Sequence, residues 1–195
     1  MDRKGKEKLD QPKNTCDNVQ QGRQEQLKNW ENPPDGWIKC NVDASFLMDE
    51  KNGASGVVLR DHSGIVLLSD WDIIIDCQSA AMGEAVACLE DLKLGLANCD
   101  SNLITETDCS SILESFKEDI CDRSEVFFMA KEFNLLRPPA PARHILSKCS
   151  VNCNSVAHGL SQLSRSVLCG VVLQGALPTC VSKAALDDCN SNNVI

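Results

Sequence analysis

Three acidic residues, Asp43, Glu84 and Asp108, occupy positions where a carboxylate calls for a partner. Asp43 lies in the middle of residues 37–46, where Ile38, Cys40, Val42, Ala44 and Phe46 alternate with Lys39, Asn41, Asp43 and Ser45. That alternation reads as a strand with one apolar face, and a carboxylate at its centre needs a counter-group. Taken alone, Asp43 reads as a rim residue bonded to a lysine or to backbone N–H groups. Glu84 falls three residues after Ala81 and four before Cys88, at the edge of the stripe Ala81, Ala85, Cys88, Leu92 and Leu96. The stripe has helical spacing and must face the core. Glu84 therefore points inward or along the seam, where glutamate is rare without a partner or a metal. Asp108 follows the apolar run 103–107 and precedes a helix. Taken alone it reads as a helix N-cap, but the C-terminal end of a parallel strand is also where α/β sheets place their sites.

Together the three residues imply more than any one of them. One carboxylate comes from the sheet centre, one from the crossover helix and one from the tip of the adjacent strand. Three converging acids repel each other unless cations are present. Oxygen-only ligands of this kind suit Mg²⁺ or Mn²⁺. A pair of such ions can activate water and stabilise the leaving oxygen in phosphodiester hydrolysis.

The elements that must position these groups follow from periodicity and turn residues. Residues 37–46, 56–60 and 65–71 read as three antiparallel strands, the last two joined by the turn Asp61-His62-Ser63-Gly64. A helix over 79–96, a strand over 103–107 and helices over 109–117 and 124–136 come next, with Pro138-Pro139 as the stop. A strand over 143–149 and a helix from about Asn154, with stripe Val156, Leu160, Leu163 and Val167, close the pattern. The order β-β-β-α-β-α-α-β-α implies an α/β domain with a mixed five-stranded sheet, three strands antiparallel and two parallel, and helices on both faces. The expected organisation is a disordered leader at 1–35, with Trp30, Pro33, Pro34, Gly36 and Trp37 marking the start of folded structure. The domain is expected at 36–167, followed by a tail at 168–195 that is partly ordered at best.

Charge and cysteine usage narrow the classes. The net charge is −9, and residues 36–165 hold 11 basic against 19 acidic side chains. Nucleic-acid binders normally carry the opposite sign, so any such function must rest on local sites and metal ions, with weak binding. The 12 cysteines are spread from Cys16 to Cys189 without a C-x-x-C pair, and they read as small core residues in a reducing compartment. With histidines only at 62, 144 and 158, no zinc-ligand spacing assembles. No signal peptide and no apolar run of about 20 residues is found, so the expectation is an intracellular, membrane-free monomer.

At this point the motifs acquire a family likeness. The stretch Gly36-Trp-Ile-Lys-Cys-Asn-Val-Asp-Ala-Ser45, with Trp30-x-x-Pro-Pro-x-Gly-Trp37 before it, resembles the opening of ribonuclease H-like domains of plant non-LTR retrotransposons and their stand-alone relatives. The blocks Gly53-Ala-Ser-Gly-Val-Val-Leu-Arg-Asp61, Glu84-Ala85, Glu106-Thr-Asp-Cys109 and Asn154-Ser-Val-Ala-His-Gly-Leu160 follow in the same order and at the expected separations, over about residues 30–165. The resemblance implies a ribonuclease H fold and metal-dependent cleavage of the RNA strand of an RNA–DNA hybrid. Asp43, Glu84 and Asp108 match the family's first three metal-binding carboxylates. The fourth acid of active members falls at His158, and the histidine they carry in the preceding loop is missing from residues 147–153. An imidazole at 158 is either a weak ligand, better suited to Mn²⁺ than to Mg²⁺, or a hydrogen-bonded surface residue. Residues 118–125 are acidic where some relatives carry a basic handle that grips hybrid. Two readings stay open, a two-metal nuclease and a binding module or retroelement relic that kept the fold.

Overall fold

The computed structural model describes residues 29–49, 51–100, 102–117, 125–138 and 143–191. The antiparallel meander consists of β1 (Trp37–Leu47), β2 (Asn52–Arg60) and β3 (Val66–Ile74). The β2–β3 turn is built on Asp61, whose Oδ1 accepts from the N–H groups of Ser63 at 2.8 Å and Ile65 at 2.9 Å. Gly64 takes the left-handed conformation there, at φ 80, which a side chain would disfavour.

Helix α1 (Ala80–Asn98) starts at Ser79, whose hydroxyl accepts from the Met82 N–H at 3.0 Å, a cap that stabilises by about 1 kcal/mol. Next come β4 (Asn102–Thr107), α2 (Ser110–Ser115), α3 (Phe127–Leu136) and β5 (His144–Lys148). A short 3₁₀ turn, Val151–Asn154, leads into α4 (Ser155–Val167). The chain then adds β6 (Val171–Gln174) and α5 (Thr179–Ser191).

The sheet runs β5-β4-β1-β2-β3-β6. β1 pairs in parallel with β4, and β4 with β5, while the other pairings are antiparallel. One face carries the larger core, in which Ile38, Cys40, Val42, Val57 and Leu59 meet Ala85, Cys88, Leu89 and Leu92 of α1 and Phe133 of α3. On the other face, Val58 and Trp71 pack against Val156 and Leu160 of α4 and Val181 of α5. Val57 and Val58 are neighbours in one strand and so must lie on opposite faces.

Three expectations need correction. The sheet has six strands, not five. The added strand, β6, lies in the segment expected to be a loosely ordered tail, and so does α5. Four residues of β6 alternate too briefly to stand out by pattern, yet Val171 and Leu173 pack into the second cluster while Val172 is 51% exposed. Trp30, inside the expected leader, is 1% exposed. Residues 1–28 and 118–124 lie outside the described residues, and with them most of the expected leader and nearly all of the acidic stretch 118–125.

Trp30 and α5 are tied to the sheet by one buried ion pair. Arg60 is 0% exposed, donates to Asp188 Oδ2 at 2.7 Å and to Asn41 Oδ1 at 2.8 Å, and stacks 3.6 Å from the Trp30 ring centroid. The Trp30 indole N–H donates to the same Asn41 oxygen at 2.8 Å. Among the described cysteines, Cys40, Cys77, Cys88, Cys149 and Cys153 are buried. Among the described residues, no helix is long and apolar enough to cross a membrane.

Removing one member of a buried ion pair leaves an uncompensated charge and costs about 3–5 kcal/mol. Asp188→Ala is therefore expected to lower the unfolding free energy measured in urea by that order. The double variant Arg60→Met, Asp188→Leu should recover most of the loss. A cost of Asp188→Ala near zero would mean that α5 does not belong to the folded domain.

Candidate metal centre

Register explains why two of the acids meet. In the parallel ladder Asn41 pairs with Glu106, and two residues further along each strand stand Asp43 and Asp108. They therefore lie side by side on the same parity, at the point where β4 has ended. The same rows carry polar groups before them: Lys39 Nζ pairs with Glu106 Oε1 at 2.9 Å, and Asn41 Nδ2 donates to Glu106 Oε2 at 3.1 Å.

Glu84 arrives from α1, five residues after the Ser79 cap, so the fixed start of the helix sets its height above the sheet. One ligand oxygen from each of Asp43, Glu84 and Asp108 can be chosen so that all three lie within 4.8 Å of one another. Among the described residues this is the one grouping of His, Cys, Asp and Glu able to hold a metal ion.

The cluster is electrostatically strained as it stands. Burial, then the neighbouring charges of Asp43 and Asp108, push the Glu84 carboxyl up to about 8. The Ala44 N–H and the Thr107 hydroxyl work against that rise by bonding the ionised form. Glu84 Oε2 is buried and has no hydrogen-bond partner. Burial also raises Asp43, opposed by its hydrogen bond to Ser161 and by the charge of His158.

A carboxylate with an orphaned, buried oxygen, clustered with two more carboxylates, is what a hard divalent cation satisfies, and the all-oxygen donor set suits Mg²⁺ or Mn²⁺. The residues therefore fit such an ion.

His158 joins the site differently from the acids. Its Nδ1 lies 3.2 Å from Asp43 Oδ2, while its side chain is 59% exposed. It touches Asp43 but is not one of the three clustered oxygen donors. Ser161, one turn further along α4, is 0% exposed and donates from Oγ to the same Asp43 Oδ2 at 2.6 Å. Asn154, at the start of α4, donates from Nδ2 to the Val42 carbonyl at 2.9 Å.

Sequence reasoning missed Ser161. The only signal for it was its spacing of three from His158, which puts both on one helical face. The approach of α4 depends on Gly56, the cross-strand partner of Asp43. A Cβ there would come within 2.3 Å of the Ala157 carbonyl oxygen and 2.4 Å of the Ser161 nitrogen.

This fold and site define an α/β domain of ribonuclease H-like architecture with a carboxylate cluster at the end of its central strands. The Reverse transcriptase-like family matches residues 41–164, and the chain belongs to that family. The fold is similar to that of ribonuclease H1 from the halophilic archaeon Halobacterium salinarum, at 13% identity and TM-score 0.58, covering 68% of this chain and 99% of that one. It is similar to the N-terminal ribonuclease H domain of a Mycobacterium tuberculosis protein, at 12% identity and TM-score 0.58, covering 67% and 94%. LC11 ribonuclease H1, solved in complex with an RNA/DNA hybrid and originally isolated from compost, matches at 16% identity and TM-score 0.55, covering 67% and 99%. No curated protein matches the chain.

Linkage fixes how the strained cluster responds to pH. A carboxyl raised in the folded state keeps its proton over a range where the unfolded chain has lost it, so stability falls as pH rises through that range. For Glu84 the range runs from its ordinary 4.5 to about 8. Without divalent cations, Glu84→Gln is expected to be more stable than wild type at the upper end, by on the order of 2 kcal/mol. The two should converge at the acid end. Urea unfolding in chelator at both ends checks this, and a difference independent of pH would contradict it.

Proposed function

We propose that this chain is a divalent-cation-dependent nuclease that hydrolyses the RNA strand of RNA–DNA hybrids. The observation that carries the proposal is the convergence of Asp43, Glu84 and Asp108 within 4.8 Å, with Glu84 Oε2 buried and unpartnered. Family membership and the ribonuclease H-like fold support the substrate class. In this reading the carboxylates of Asp43, Glu84 and Asp108 would together hold Mg²⁺ or Mn²⁺. When bound, such ions neutralise charge at the phosphate and lower the pKa of the attacking water.

The chain's own residues do the rest by positioning. The β1–β4 register sets Asp43 beside Asp108, and the capped start of α1 sets Glu84. The Ala44 N–H and the Thr107 hydroxyl favour the ionised form of Glu84 and offset part of what burial and the neighbouring acids cost it. The net charge of −9 favours weak binding of the hybrid. The same reading takes the chain to be an intracellular monomer of plant retrotransposon descent, supported by the motif blocks from Gly36 to Leu160.

A second reading, a binding module with weakened cleavage, is favoured by one contact. At the fourth site position His158 faces Asp43 rather than offering a further carboxylate.

Cleavage of a labelled RNA–DNA hybrid at low salt, in Mg²⁺ and then in Mn²⁺, tests the proposal. Asp43→Asn is expected to reduce the rate at least about 1,000-fold, and His158→Asp to raise it about tenfold. No cleavage by wild type with either cation would overturn the nuclease reading.

A further inference from the structure

We propose that the site takes one divalent cation readily and holds a second away from Asp43, because Ser161 and His158 together occupy Oδ2 of that carboxylate. The inference rests on the cation-site reading above and concerns how many ions the site admits.

Both hydrogen-bonding contacts to the Asp43 carboxylate fall on one oxygen. Ser161 Oγ donates to Oδ2 at 2.6 Å, and His158 Nδ1 stands 3.2 Å from it. An ionised carboxylate only accepts, and each of its oxygens has about two lone-pair directions. Facing that acceptor, the imidazole must present an N–H at Nδ1. Both directions on Oδ2 are then taken, and Oδ1 is the oxygen left for a cation.

The Ser161 hydroxyl has a single proton, and the His158 carbonyl oxygen at 2.9 Å competes for it. The ionised carboxylate is both nearer and the stronger acceptor.

This clamp is built into the packing rather than left to chance. Ser161 is 0% exposed. Helix α4 is pinned beside Asp43 at two points. The Asn154 side chain bonds the carbonyl of Val42, the residue before Asp43. Gly56, opposite Asp43 on β2, admits the backbone of Ala157 and Ser161 to distances at which no other residue would fit. His158 and Ser161 are thereby fixed one turn apart over the same oxygen.

A carboxylate that bridges two cations gives one oxygen to each or shares one oxygen between both. The first route requires Ser161 and His158 to let go of Oδ2. The second places two dications on Oδ1 while two donors draw negative charge toward Oδ2. Hydrogen bonds to a charged group are each strong enough to hold off a competing ligand about tenfold or more. Ser161 is thus a positioning residue that sets which oxygen Asp43 offers, and His158 is its partner in the clamp.

Isothermal titration of the full chain with Mn²⁺, with bound Mn²⁺ counted by electron paramagnetic resonance, tests the inference without relying on activity. Wild type is expected to bind one Mn²⁺ per chain, and a second about a hundredfold more weakly. Ser161→Ala and His158→Ala should each tighten the second ion about tenfold. The His158 side chain is mostly exposed, so that variant keeps the test valid even if Ser161→Ala folds poorly.

Two Mn²⁺ of similar affinity in wild type would overturn the clamp and leave the cation-site reading intact. A second ion bound no more tightly in the variants than in wild type would also overturn the clamp. No Mn²⁺ bound, or binding untouched by Asp43→Asn, would overturn the cation-site reading itself and the clamp with it.

Discussion

Holding carboxylate oxygens within 4.8 Å of one another opposes folding. At an effective dielectric of about 20, each ionised pair at that separation repels by about 3 kcal/mol. Burial adds to the cost, and Glu84 shows the result, a carboxyl pushed up to about 8. The surrounding fold offsets this in part. The Ser161 hydroxyl holds Asp43, and the Ala44 N–H and the Thr107 hydroxyl hold Glu84. Glu84 Oε2 receives nothing from the protein. Keeping a carboxyl with such an oxygen beside two more acids therefore costs the domain stability.

The rest of the architecture can be read as the means of holding that arrangement. The parallel β1–β4 pairing brings Asp43 and Asp108 level, and α1 lowers Glu84 from one face. From the other face α4 reaches Asp43 through the gap left by Gly56. Behind α4 stands α5, with Val181 against α4 and Asp188 on Arg60. The C-terminal elements thus back the helix that carries His158 and Ser161.

The sequence made legible what depends on pattern, and left obscure what depends on three-dimensional contact. The alternation of β1 and the stripe of α1 placed Asp43 and Glu84 because strand and helix periods are local properties. The stripe also put Leu96 inside, whereas it is 37% exposed near the end of α1, where the helix runs past the larger core. Val167 is 47% exposed for a similar reason, while Ser161 and Ser164 are fully buried on α4. A serine carries no hydrophobic signal, so its burial is decided by a partner far away in sequence. Asp91 is the same case: buried in α1, it accepts from the Thr105 hydroxyl at 2.6 Å, a contact that no window of residues reveals. In α5 the spacing of Val181, Ala184, Ala185 and Asp188 is a usable helical signal, and Pro178 does not interrupt it. It is the residue whose carbonyl accepts the Val181 N–H at 3.1 Å as the helix begins.

The central claim is that Asp43, Glu84 and Asp108 form the cation site of this chain, and paramagnetic broadening tests it most directly. A substoichiometric Mn²⁺ titration would be followed in the amide spectrum of isotopically labelled protein. The account predicts that signals of Ala44, Thr107, Cys109 and Ser161 broaden first. A second acidic group, Asp70 with Asp72 and Glu90, provides the control, because burial and like charges raise Asp70 to about 6 there without the clustered ligand set. Earliest broadening around Asp70, or uniform broadening along the chain, would contradict the claim.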